Sequence, residues 1–134
     1  MELIVAKQRV YDARIGRLGT ITLEGRPHLV PVCFALIDEV AYTAVDAKPK
    51  STLSLRRLQN IEATPSTCLL VDHYDENWTD LWWVRLDGTA RVVRSAAEAE
   101  RAMNALTAKY SQYEVVAIPG PMIAFEIARW TVWP

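Results

Sequence analysis

The sequence predicts a mainly-β domain of the α+β kind, a small barrel of seven short strands with three helices set between them. Three observations predict it. Residues 28–37 and 122–132 are strand-length runs that are apolar on both alternating faces. Glu24-Gly25-Arg26 and Asp87-Gly88 read as tight turns joining strands. A chain of 134 residues that is 51% hydrophobic and 23% charged fills one core and not two, so 1–134 is read as a single domain.

The elements follow in order. Residues 2–14 carry Leu3, Ala6, Val10 and Ala13 at helical spacing, with charges between them. Strands are expected at 18–23 and 28–37, turned by Gly25, which tolerates positive φ. Pro31 lies inside the second strand and cannot donate to a ladder, which places it at an edge or a bulge. Asp38-Glu39 turns the chain into a third strand at 40–45. Ser51 or Thr52 caps a helix reaching Ala63, and Pro65 ends it. Further strands are expected at 67–73, 81–86 and 89–93, the last two joined by a hairpin at Asp87-Gly88. Ser95 and Glu98 form a capping-box pattern for a helix with Ala99, Met103, Leu106 and Tyr110 down one side. The strand at 122–132 closes the chain. Strands that lack a polar face need cover on both sides, and a second copy of the chain is expected to supply it. The five tryptophans, a residue type enriched in interfaces, point the same way.

Composition excludes several classes of function. Fifteen basic against sixteen acidic residues leave a net charge of −1, without the basic excess that duplex nucleic acid requires. No apolar run approaches the ~20 residues that span a bilayer, and the acidic, briefly apolar start does not read as a secretory leader. A cytoplasmic protein is expected. The scattered glycines build neither a dinucleotide fingerprint nor a P-loop.

His28 and Cys33 are five apart, as are Cys68 and His73, and residues an odd number apart on a strand face opposite ways. No metal site is expected from them, nor a Cys–His nucleophile. Asp72, Asp75, Glu76 and Asp80 surround a polar turn where acids are ordinarily solvated, so no catalytic carboxylate is assigned. The basic cluster Lys48, Lys50, Arg56 and Arg57 carries more. It flanks a helix start with Ser51 and Thr52, where free backbone N–H groups and the helix dipole favour an anion. A solvated helix face is the ordinary alternative. Arg56 and Arg57 point about 100° apart, so only one faces the loop.

Three segments carry a resemblance: Gly25-Arg26-Pro27-His28-Leu29-Val30-Pro31-Val32-Cys33-Phe34, Tyr42-Thr43-Ala44-Val45-Asp46-Ala47-Lys48-Pro49-Lys50 and Leu69-Leu70-Val71-Asp72-His73-Tyr74. Together they resemble the split β-barrel superfamily of pyridoxamine-phosphate-oxidase-like, FMN-binding-like proteins, and within it the actinobacterial branch that uses the deazaflavin coenzyme F420. The resemblance runs from about Arg17 to the end of the chain. It implies a homodimer with two cofactor sites between the subunits. It places the cofactor ring against Pro31, Val32, Thr43, Ala44 and Val45, and its anionic tail on Lys50, Ser51, Thr52 and Arg57. Asn60 and Trp78 match an asparagine and an aromatic residue near the site in such proteins. The implied function is hydride transfer from reduced F420 to a small unsaturated acceptor. The alternatives are an FMN-dependent relative, or a protein that binds a cofactor or tetrapyrrole without turning it over. Four clustered cations suit the polycarboxylate tail of F420 better than the single phosphate of FMN.

Overall fold

The computed structural model describes residues 1–45, 52–115 and 120–134, without the side chains of 52–55. The helices are α1 (Leu3–Asp12), α2 (Thr52–Ala63) and α3 (Ala96–Lys109). The strands are β1 (Gly16–Ile21), β2 (Pro27–Val32), β3 (Ala35–Ile37), β4 (Val40–Ala44), β5 (Ser66–His73), β6 (Trp82–Val92) and β7 (Met122–Trp133). They form one antiparallel sheet in the order β2-β1-β5-β6-β7-β4-β3, curled into a split barrel.

The two edge strands, β2 and β3, are consecutive in the chain. The expected strand at 28–37 breaks between them at Cys33 and Phe34, and the break lets the sheet curl back on itself. The Thr43 hydroxyl, on β4, donates to the Cys33 carbonyl at 2.8 Å and ties the two ends of the sheet together. Pro31 sits on edge strand β2 opposite Arg17, as the missing N–H requires.

The strands expected at 81–86 and 89–93 are one continuous strand, β6, and Asp87-Gly88 is no hairpin. It is a bulge: Asp87 pairs with Arg129 and Gly88 with Ile127, so Ala128 has no partner. Gly88 does not have positive φ, as the turn glycine Gly25 does at 80°. Its use is space, because a Cβ there would lie 1.9 Å from the Glu126 carbonyl oxygen. Asp38 provides the other tight turn with a φ of 52°, joining β3 to β4.

Two apolar clusters sit on opposite faces of the sheet. Leu18, Phe34, Ile61, Leu69, Val84, Ile123 and Phe125 fill the interior with Ala6 and Val10 of α1. Ala35, Tyr42, Met122 and Ala124 pack outward against Ala102, Leu106 and Tyr110 of α3. The chain's own α3 therefore covers the second face of β7 over Met122–Phe125, where a second copy was expected. The buried stripe of α3 runs through Ala102 and Leu106, and Met103 is exposed. On α1 the buried pair is Ala6 and Val10, with Leu3 largely in solvent.

Half of the expected capping box forms. The Ser95 hydroxyl accepts from the Glu98 N–H at 3.3 Å, but the Glu98 carboxylate turns away to Arg91. Arg91 donates to both Glu98 oxygens at 2.7 Å, and the Tyr42 hydroxyl donates to Oε2, also at 2.7 Å. The Arg91 and Tyr42 hydrogen bonds hold the Glu98 carboxyl down at about 2. This bidentate contact pins the start of α3 to β4 and β6. No helix among the described residues is long and apolar enough to cross a membrane.

Candidate functional site

The seam between β2 and β4 brings together the residues expected to hold a ring. Val32 ends β2 and is buried, whereas Pro31 is exposed. Thr43 is buried on β4, Ala44 half-buried, and Val45 buried with its N–H donating to the Pro121 carbonyl at 3.0 Å. The Thr43 bond to Cys33 fixes the backbone that follows Val32.

Of the tail residues, Lys48, Lys50 and Ser51 lie outside the described residues, as does the side chain of Thr52, the first residue of α2. Further along α2 the two arginines differ in exposure. Arg56 is exposed, whereas Arg57 is half-buried. Asn60, three residues on from Arg57 and so beside it on the helix, is 3% exposed. Its amide Nδ2 is buried with no hydrogen-bond partner among the described residues. Such a donor fits an anionic or carbonyl-bearing ligand.

Trp78 stands apart, 71% exposed in a 3-10 turn over Trp78–Asp80 between β5 and β6. It extends from the end of the sheet at which β2 finishes, since Arg17 pairs with both Pro31 and Leu70. At that end a cleft of about 340 Å³ opens between α1 and β5, lined by residues that include Arg9, Arg17, His73 and Trp82. His73 stacks on Trp82 with ring centroids 6.1 Å apart, and the Arg9 guanidinium lies 4.9 Å from the Trp82 centroid. Arg17 is paired with Asp72 at 2.9 Å.

The residues that hold the Cys33–Phe34 break were not anticipated from the sequence. The Tyr110 hydroxyl accepts from the Phe34 N–H at 3.1 Å and donates to the Arg14 carbonyl at 2.9 Å. Lys109 Nζ donates to the Phe34 carbonyl at 2.8 Å and lies 4.1 Å from the centroid of its ring. Arg14 donates to the Lys109 carbonyl at 2.9 Å and lies over the Tyr110 ring. Backbone groups lost from the sheet are thereby satisfied from the end of α3. Burial, seconded by Arg14, lowers the Lys109 ammonium to about 8, and burial raises the Tyr110 hydroxyl. The one sequence signal was Tyr110 at the end of an apolar stripe, which says nothing of its hydroxyl.

These features define the class: an antiparallel split barrel whose β2 and β4 ends are tied by the Thr43–Cys33 bond. A sequence profile described as pyridoxamine 5'-phosphate oxidase matches residues 5–134. The chain belongs to that family. Among solved structures it is similar to the conserved hypothetical protein Rv2991 from Mycobacterium tuberculosis, with a TM-score of 0.82 and 21% identity over 99% of this chain and 84% of that one. It is similar to a FAD-binding protein, mll6688, from Mesorhizobium loti (TM-score 0.74, 16% identity, 98% and 92% covered). It is also similar to HutZ, the haem storage protein from Vibrio cholerae (TM-score 0.72, 13% identity, 98% and 93% covered). At these identities the likeness establishes the fold. A search of curated proteins gave no match.

Proposed function

We propose that the protein is an oxidoreductase that binds reduced coenzyme F420 and delivers its hydride to a small unsaturated acceptor, working as a homodimer with the cofactor between subunits. The observation that carries the reading is the seam, where the Thr43–Cys33 bond ties the end of β4, with buried Thr43 and Val45, to the residue that follows Val32. The family is named for an oxidase, and one structural relative is described as FAD-binding, which supports a flavin-like ligand in this fold.

Bound F420 would supply the hydride. The protein's part is to orient the ring and exclude water. None of Pro31, Val32, Thr43, Ala44 and Val45 carries a group that titrates near neutral pH, and none is assigned as acid or base. Arg57 and Asn60 would meet the tail, with Lys48, Lys50, Ser51 and Thr52 just ahead of them in the chain. Trp78 is too exposed to be a packing residue of its own subunit, which suits an aromatic that covers a ring across an interface. The cleft beside Trp82 offers room for the acceptor. The outward face of β2 and β1 supports the dimer: Leu29 is 67% exposed opposite Gly19, beside exposed Pro31.

Fluorescence titration with F420 and with FMN, at low and at 1 M salt, tests the reading. F420 should bind more tightly at low salt and lose that advantage as the Debye length falls from ~10 Å at 0.1 M to ~3 Å at 1 M. Trp78→Ala should weaken ring binding with an unchanged melting temperature. FMN binding as tight as F420 at low salt overturns the deazaflavin assignment. A haem Soret shift without F420 binding would favour the tetrapyrrole-binding alternative, for which HutZ is the structural parallel.

A further inference from the structure

A cleft of about 380 Å³ opens between α1, β3 and the end of α3, and it shares Asp12 and Arg14 with the cleft beside Trp82. Its lining includes Tyr11, Asp12, Arg14, Leu36, Ala108 and Lys109. The walls are mixed, with apolar Leu36 and Ala108 beside two cations and one acid. The Lys109 amine is half-buried here, with its Nζ on the Phe34 carbonyl and over the Phe34 ring. An ammonium has three donors, and among the described residues the Phe34 carbonyl engages one of them. The Arg14 guanidinium lines the same cleft and so adds a permanent positive charge beside the amine.

We propose that Lys109 is an acylation site, modified without an enzyme by small anionic acyl donors of the acyl phosphate class. Arg14 attracts the phosphate of the donor into the cleft. The neutral Lys109 amine attacks the acyl carbon, a C–N bond forms, and the C–O bond to phosphate breaks. The amine proton leaves with the phosphate, so the products are an amide and hydrogen phosphate, with no oxidant or reductant needed. Modification removes the positive charge over the Phe34 ring and loosens the hold of α3 on the Cys33–Phe34 segment.

The charges around the amine set its reactivity. Burial and Arg14 favour its neutral form, whereas Asp12 and Cys33 favour the ammonium, and the balance lies at about 8. At pH 7.5 roughly a quarter of such an amine is neutral, against about one part in a thousand for a lysine at its ordinary value. A nucleophile of lower pKa is intrinsically weaker, as is established for thiols, so the net advantage expected is about tenfold.

The chain holds four lysines, Lys7, Lys48, Lys50 and Lys109, so each can be followed separately. Lys7 is an internal standard, ion-paired to Glu39 at 2.6 Å. The purified protein is incubated with acetyl phosphate from pH 6.5 to 10.5, and acetylation at each lysine is measured by peptide mass spectrometry. The expected result is that Lys109 is labelled about tenfold faster than Lys7 at pH 7.5, with a rate that levels off above pH ~8. Repeating the experiment with a neutral donor, N-acetylimidazole, should shrink the preference, because Arg14 then has no anion to attract. Equal labelling of Lys7 and Lys109, or a Lys109 rate still climbing at pH 10, overturns the proposal. A preference identical for both donors overturns the assignment to anionic acyl donors.

Discussion

Replacing Tyr110 with phenylalanine isolates one hydroxyl that holds the Cys33–Phe34 break. The ring would keep its packing beside Ala102 and Leu106, its edge contact with Tyr113 at 5.9 Å and its place under Arg14. What disappears is the acceptor for the Phe34 N–H and the donor to the Arg14 carbonyl. The Phe34 carbonyl keeps Lys109. A buried N–H left without an acceptor costs about 1–3 kcal/mol, and the Arg14 carbonyl adds a smaller loss. A total near 2 kcal/mol corresponds to a melting temperature lower by about 8 °C for a chain of this length. Urea unfolding measures the stability, and native-state hydrogen exchange at Phe34 measures the local effect. The Phe34 amide should lose protection by more than the global loss alone predicts. Stability within about 0.5 kcal/mol of the parent, with Phe34 exchange unaltered, would refute the view that this hydroxyl secures the break.

Two further substitutions test other joints of the fold. Gly88→Ala should cost more than about 3 kcal/mol, because its Cβ meets Glu126 backbone at 1.9 Å, whereas Gly25→Ala, with nothing within 4 Å, should cost only the ~1–2 kcal/mol of its positive φ; urea midpoints decide, and the reverse order would restore the turn reading of Asp87-Gly88. Glu98→Gln should cost about 1–2 kcal/mol at pH 7, near the low end for charge-assisted bonds because the Arg91 side chain is 42% exposed. The folded carboxyl sits at about 2, below its ordinary 4.5, so its contribution is present above pH ~5 and lost as pH falls toward 2. The stability difference between Glu98→Gln and the parent should therefore narrow across that window, and a difference independent of pH would sink the ion-pair account.

Local chemistry made much of the fold legible. Gly25 and Asp38-Glu39 turn the chain where their backbone preferences say, and Ser95 caps its helix. Two errors share one cause. Residues 28–37 look like one apolar strand because Cys33 and Phe34 are as apolar as their neighbours, and only contact with Tyr110, 76 positions away from Phe34, shows that the ladder stops there. Asp87-Gly88 has the composition of a type I′ turn, yet Gly88 answers a steric demand from Glu126 on another strand. Periodicity and turn chemistry report what a segment does alone and are silent on what a distant segment imposes. The site divides the same way. Asn60 and Arg57 fall together because helical spacing puts them together, but the Lys109–Tyr110–Arg14 cluster unites three residues whose side chains had no reason, in sequence, to meet.

The prolines of β2 have a consequence for how the molecule meets its surroundings. Pro27, Leu29 and Pro31 share one parity on an edge strand whose other side is hydrogen-bonded to β1. Since the prolines have no N–H to give the ladder, the positions of their parity are those whose amides point away from β1. Leu29 is then the one residue among the three able to offer a donor to an incoming strand. An aggregating chain or an extended peptide seeking to lengthen the sheet finds gaps at every second step, the kind of edge that resists cross-strand templating. Another molecule approaching this region is turned from the backbone edge toward the side-chain face, where Leu29 and Pro31 stand exposed.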